Sequence, residues 1–256
     1  MKIGISRISN TPEEAYQVLE SAHRYGFAGV QLKPPQYNDF VAAPQSFKER
    51  YGSLSYLACG GLIVYPGGDP STWRPQVDAV LPFARAVDAG HICLCSGVYE
   101  TGASEEQVRA VANALTDIGT TAKQQGVVIS IHNHMDSLVE SEEDIARLLD
   151  IVDPALCGLT LDTAHAAKAG ISNVANLALR FKAHLLNVHL KDIAGDGQFC
   201  ALGQGTLALR PILDALASVQ YDQWLIVDEE TKNLSTEETF RIASDCLQAK
   251  GIALKT

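Results

Sequence analysis

The chain has 256 residues, 46% of them hydrophobic and 20% charged, with a formal net charge of −10. That is enough chain to bury a sizeable core without staples. The acidic balance argues against a surface built to neutralise phosphates, since nucleic-acid binding draws much of its affinity from Lys and Arg.

Cysteines stand at 59, 93, 95, 157, 200 and 246, with no CxxC pair and no disulfide-scaffold spacing, and are expected to be free thiols of a reducing cytosol. The opening residues, "MKIGISRISN", lack the apolar core and cleavage site of a signal peptide. No stretch approaches the roughly 20 apolar residues of a membrane span, so the expected location is the cytoplasm.

In chain order, β-rich runs fall at 2–6, 30–33, 61–65, 92–95, 127–132, 158–162, 186–190 and 224–228. After the first run, "TPEEA" offers Thr11 as N-cap, Pro12 at the first helical position and Glu14 where a capping box wants it. Ala15, Val18, Leu19 and Ala22 follow on one face, and Gly26 is a natural stop. After the fourth run, Ser104 with Gln107 opens a segment whose Val108, Val111, Leu115 and Ile118 share a helical face, with Gly126 beyond it. Ser235 with Glu238 opens a last helix. Strands alternating with helices imply a parallel sheet. The count favours a closed (β/α)8 barrel, one domain over 1–256, ahead of an open doubly wound sheet.

A barrel demands that each strand send one parity to the helices and the other to the interior. In "GLTLDTAH", Leu159 and Leu161 take the outer parity and Thr160 and Asp162 the inner. In "LLNVHLKD", Leu186, Val188 and Leu190 are outer, leaving Asn187, His189 and Lys191 inside. "VQLK" sends Gln31 and Lys33 inward, and the fifth run gives Ser130, His132 and His134. Polar residues thus gather inside the carboxyl ends of several strands, where barrels collect binding groups. A lone inward Asp or His is commonly a hydrogen-bonded core residue. Several in one layer point to a divalent cation, because burying them otherwise requires many compensating hydrogen bonds.

The segments "GLTLDTAHAAKAG", "NVHLKD", "YDQWLIVDEE" and "HNH", with "ALGQGTLAL" after the seventh strand, resemble the xylose-isomerase-like TIM-barrel superfamily over nearly the whole chain. Its branches include sugar epimerases, hydroxypyruvate isomerase, inosose dehydratase and apurinic endonucleases. "LLDIVDPALCGLTLDTAHAAKAG" followed by "VHLKD" is especially similar to inosose dehydratases and neighbouring sugar isomerases. The resemblance implies one divalent ion, manganese first with zinc or cobalt as alternatives, held by His132, Asp162, His189 and Asp228. It implies that His165, of a D-x-x-H motif, contacts substrate or metal, and that Lys191 and His134 line the pocket, while Lys33, inward by parity, is taken as a further substrate-binding residue. Three positions depart from the sugar-epimerase pattern. His132 and Asp228 stand where glutamates are usual, with Glu229 and Glu230 as alternative carboxylates, and Gln204 stands in a loop that is often Gly-Glu-Gly.

The activity so implied is an isomerase or epimerase of a keto-sugar or related polyol ketone, working through an enediolate. Asp228 is the first choice of base and His132 the second, while Lys191 holds a substrate oxygen or forms a structural salt bridge. An inosose-type dehydratase, a lyase, shares the first step and is the alternative. "VYPGGDPSTW" reads as an active-site loop in which Tyr65 and Trp73 could stack on a sugar, Trp73 having core packing as an equal reading. Cys93 and Cys95 read as small interior residues, and "GQG" is too short for a phosphate loop. A phosphodiesterase of the apurinic-endonuclease type needs extra histidines, whereas His91 lies at the wrong end of its strand and His23 in the first helix. A non-catalytic sugar-binding barrel stays open because both expected glutamates are replaced. The partner expected is a small sugar or polyol, with no nucleic acid or membrane, and homo-oligomerisation is left open.

Overall fold

The first strand, β1 (Lys2–Arg7), is also where the sheet ends, because it pairs in parallel with both the second strand and the last. In this computed structural model, which describes residues 1–52, 58–96, 103–231 and 233–254, the strands are β2 (Gly29–Leu32), β3 (Ala58–Gly67), β4 (His91–Ser96), β5 (Val128–His132), β6 (Cys157–Asp162), β7 (Leu185–Leu190), β8 (Asp192–Ile193), β9 (Phe199–Cys200) and β10 (Trp224–Glu229). Their order, β1-β10-β7-β6-β5-β4-β3-β2, closes into a barrel and overturns the open-sheet alternative. The short strands β8 and β9 form a separate antiparallel hairpin.

The connecting helices are α1 (Pro12–Arg24), α2 (Pro34–Tyr37), α3 (Pro44–Tyr51), α4 (Trp73–Ala86), α5 (Glu105–Gln124), α6 (Glu142–Leu149), α7 (Thr163–Lys168), α8 (Val174–Arg180), α9 (Leu209–Ser218) and α10 (Thr236–Ala249). Ser104 and Ser235 cap α5 and α10 in reciprocal boxes with Gln107 and Glu238. At α1 the expected box is altered. Thr11 accepts from the Glu14 amide, but the Glu14 carboxylate reaches the Asn10 amide at 2.6 Å. Gly26 and Gly126 end α1 and α5 with φ of 78° and 74°, a conformation glycine adopts without a Cβ penalty.

Leu159, Leu161, Val188 and Leu190 are buried in one core with Val108, Val111, Leu115 and Ile118 of α5. Leu186 is a correction to the parity reading. The β6–β7 register skips it, pairing Leu159 with Leu185 and then Thr160 with Asn187, so Leu185 takes the core position and Leu186 is half-buried. Trp73 is fully buried and donates to the Gly67 carbonyl at 3.1 Å, which settles it as a core residue. Cys93 and Cys95 pack with Ile63 in a small separate interior cluster. The six cysteines are free. No helix among the described residues is long and apolar enough to cross a membrane.

Glycines shape the amino-terminal end of the barrel. A Cβ on Gly4, Gly29 or Gly60 would meet the Trp224 ring at 3.2, 2.8 and 3.3 Å, so the three leave room for that indole to lie across the end as a plug. Gly29→Ala is expected to cost ~1–3 kcal/mol, the range for overpacking, because its Cβ would also fall 2.3 Å from the Ala58 carbonyl oxygen. Gly52→Ala, with nothing within 4 Å, is the control. Urea unfolding compares them, and equal midpoints would show that the plug imposes no packing constraint.

Candidate active site

His132 and Asp162 are the last residues of β5 and β6, His189 is the penultimate residue of β7, and Asp162 lies opposite His189 in the register. All three are buried. Asp162 also caps α7. Its Oδ1 accepts from the Ala164 and His165 amides at 3.0 and 2.9 Å, which leaves Oδ2 facing His132 Nε2 at 3.4 Å and His189 Nδ1 at 3.7 Å. The backbone beneath is clamped by side chains. Asn133 accepts from the Asp162 amide at 2.7 Å and donates to its carbonyl at 3.1 Å, while the Thr163 hydroxyl donates to the Lys191 carbonyl at 2.6 Å and accepts from its amide at 2.9 Å.

One ligand atom from each of His132, Asp162 and His189 lies within 4.8 Å of the others. Two bonds of about 2.1 Å at a tetrahedral angle place ligand atoms about 3.4 Å apart, so the observed spacings suit a shared ion better than direct hydrogen bonds. His189 Nδ1 has no hydrogen-bond partner, as expected of an atom meant for a metal. The three residues therefore fit a divalent cation.

Asp228, expected as the fourth ligand, stands at the edge of this group. Its Oδ2 is 4.0 Å from His189 Nδ1, but the carboxylate pairs with Lys33 at 2.9 Å and Lys191 at 3.4 Å. Glu230 bridges the same lysines, at 3.3 Å from Lys33 and 2.6 Å from Lys191. Burial opposes the charge of Asp228, yet Lys33 and Lys191 outweigh it and hold the carboxyl well below its usual range. Burial likewise pulls the two ammonium groups down, and Asp228, Glu230 and, for Lys191, Asp162 more than restore them. Both lysines stay charged, and Asp228 is a weak base while so paired. Glu229, the other alternative carboxylate, turns to the Leu202 amide and the Thr231 hydroxyl, and burial raises it to about 7.

On the β5–β6 side, His134 lies against His165 with ring centroids 3.8 Å apart and the ring planes tilted by 33°. His134 Nδ1 is 2.6 Å from the Met135 carbonyl, which places its proton on Nδ1. Burial, then His132, lowers its pKa, and burial brings His165 down to about 2, so both rings are neutral near pH 7. Tyr65 is 53% exposed, with Asp228 and Glu230 in electrostatic reach of its hydroxyl.

The sequence reading missed several supporting residues. Phe199, on the hairpin, packs edge-on to His165 at 4.9 Å and under the Lys191 ammonium at 4.1 Å, and a single aromatic in a loop has no periodicity to announce it. Asp192 accepts from the Gly203, Gly205 and Leu207 amides at 3.0 to 3.2 Å. The "GQG" glycines therefore aim their N–H groups at a protein carboxylate, and Gln204 is exposed. The aspartate directly after "HLK" was the available signal.

At the opposite end, His91 begins β4, and its Nε2 lies 2.7 Å from the Ser130 hydroxyl, itself bonded to Thr160. Burial, with the neighbouring His189 as the lesser cause, lowers His91 to about 3 from 6.5. The native ring stays neutral while the unfolded one takes up a proton, so stability falls as pH drops from about 6.5 to about 3. This residue contributes up to ~5 kcal/mol to that loss. His91→Gln should flatten the acid limb of stability measured in urea at successive pH values. An unchanged limb would assign the loss to other groups.

Comparison with known proteins places these observations in a family. The xylose isomerase-like TIM barrel family matches residues 19–250. The rhizopine catabolism protein MocC of Rhizobium meliloti is 31% identical over 258 residues, covering 86% of this chain and 75% of that protein. An inosose dehydratase of Clostridium tetani is 29% identical over 145 residues, 50% of this chain and 48% of that protein, so the match spans about half the length of the inosose dehydratase. Among solved structures, IolI protein with a binding zinc atom superposes with a TM-score of 0.80 at 15% identity, over 98% of each chain.

Proposed function

Because the chain belongs to the xylose isomerase-like TIM barrel family, we propose that it is an enzyme that removes water from a polyol ketone with the help of one divalent ion. The observation that carries this reading is the His132–Asp162–His189 group with the His134 ring 5.7 Å from that of His132 and the Lys191 ammonium 3.4 Å from Asp228. An ion held by those three residues would supply a Lewis acid that acidifies the carbon beside the ketone. Two imidazoles and one carboxylate favour zinc over the manganese expected from the resemblance, and zinc is also the ion of the IolI structure.

The chain's own residues supply the proton traffic. His134 keeps its proton on Nδ1, bound to Met135, so its Nε2 lone pair can take a proton from carbon. Lys191 stays an ammonium and can neutralise developing negative charge or protonate a departing hydroxyl. Asp228 and Glu230 hold Lys33 and Lys191 in place.

Dehydration is preferred to isomerisation because inosose dehydratases recur among the curated relatives. Isomerisation or epimerisation is the second reading, since the same two flanking groups could take a proton from one face and return one to the other. Incubating the zinc- or manganese-loaded protein with a keto-inositol in heavy water and following the product by mass spectrometry separates them. Loss of one water supports the dehydratase. Deuterium uptake without that loss supports the isomerase, and neither change, across a panel of keto-sugars, supports a non-catalytic barrel.

A further inference from the structure

We infer that Gln31 is a positioning residue for the ion site, holding the proton of His189 on Nε2 so that Nδ1 presents its lone pair to the metal. The inference rests on the metal reading above. His189 Nε2 lies 2.6 Å from Gln31 Oε1, and both residues are buried. The other ring nitrogen, Nδ1, faces Asp162 Oδ2 at 3.7 Å and Asp228 Oδ2 at 4.0 Å. A neutral imidazole carries one proton. Placed on Nδ1, it would point at oxygens beyond hydrogen-bond reach. Placed on Nε2, it meets the amide oxygen at a short, favourable distance.

The sheet is deformed in a way that seats this amide. Along β2 and β3, Gly29 pairs with Ala58 and Val30 with Cys59, but Gln31 pairs with Gly61, so Gly60 is an extra residue. Such a bulge re-aims the side chains around it. Gly61 then adopts a φ of 136°, and a Cβ there would come within 3.3 Å of Gln31 Nε2 and 3.0 Å of His91 Nδ1. A glycine opposite Gln31 therefore keeps the space its amide fills. The choice of an amide also has a chemical reason. It accepts the imidazole proton without adding a third negative charge to a group that already holds Asp162 and Asp228, and without competing for the proton itself.

Long-range proton–nitrogen NMR of the metal-free chain reads the His189 tautomer, and competition with a chromophoric chelator reads the affinity for zinc alone. Wild type should show the Nε2–H form. Gln31→Leu should mix the tautomers and weaken zinc binding by about 10- to 100-fold, the usual effect of losing an outer partner. Gln31→Glu, which keeps the acceptor, should stay within roughly threefold of wild type or bind tighter. Thermal melts check that each variant folds. If Gln31→Leu fails to fold, the wild-type tautomer still decides. A proton on Nδ1 in wild type, or a folded Leu variant that binds zinc as tightly as wild type, overturns the role given to Gln31. A wild type that takes up no zinc overturns the metal reading instead, and the tautomer then still tests the hydrogen bond on its own.

Discussion

Asp162→Asn is expected to lower zinc affinity by more than ~100-fold, beyond what losing an outer partner costs, while leaving the barrel folded. The two effects separate because the two carboxylate oxygens have different work. An asparagine oxygen can still accept from the Ala164 and His165 amides and cap α7, so the helix start is kept. What is lost is the anionic Oδ2 between His132 and His189. Asp162→Ala removes both, and should add ~1–2 kcal/mol of destabilisation from the missing cap. Chelator competition and urea unfolding on the same samples give both numbers. Near-normal zinc binding by Asp162→Asn would show that the ion sits elsewhere.

The second large effect is on turnover. Lys191→Met should lower kcat by ~10²–10³-fold, the usual loss when a charge-stabilising donor is removed, with zinc content unchanged. Lys33→Met should be milder, because Lys33 lies nearer Asp228 than Lys191 does and serves to retain that carboxylate, at 2.9 Å. Each substitution also leaves Asp228 and Glu230 with one lysine instead of two, so both variants should lose some stability. Steady-state kinetics on whichever substrate responds gives the comparison. Equal losses for the two lysines would mean that both merely maintain the charge cluster.

The barrel was legible because its strands carry two signals at once, β-branched composition and a parity that separates helix-facing from interior residues. His132, Asp162 and His189 fall at the ends of adjacent strands, so knowing the face and the end was enough to predict that they meet. Parity does not say which interior residues touch. Lys33 and Glu230 are 197 positions apart and pair only because closure brings β2 and β10 to neighbouring places around β1. The same closure brings Asp228 to 2.9 Å from Lys33, and no local pattern encodes it. Leu186 was misassigned for a related reason: strict alternation fails wherever the register skips a residue, and skips leave no mark in composition. The Glu14 side chain took the Asn10 amide, one residue earlier than the box motif specifies, a choice between two neighbouring donors that sequence spacing cannot make.

The Trp224 plug bears on how a reactant comes and goes. With Gly4, Gly29 and Gly60 backing the indole, the barrel axis is stopped at its amino-terminal end, and His132, Asp162 and His189 are approached from the carboxyl side alone. A blind shaft cannot be threaded. Reactant and product must use the same carboxyl-terminal mouth in turn, so whatever is left at the ion after turnover has to leave before the next reactant can enter.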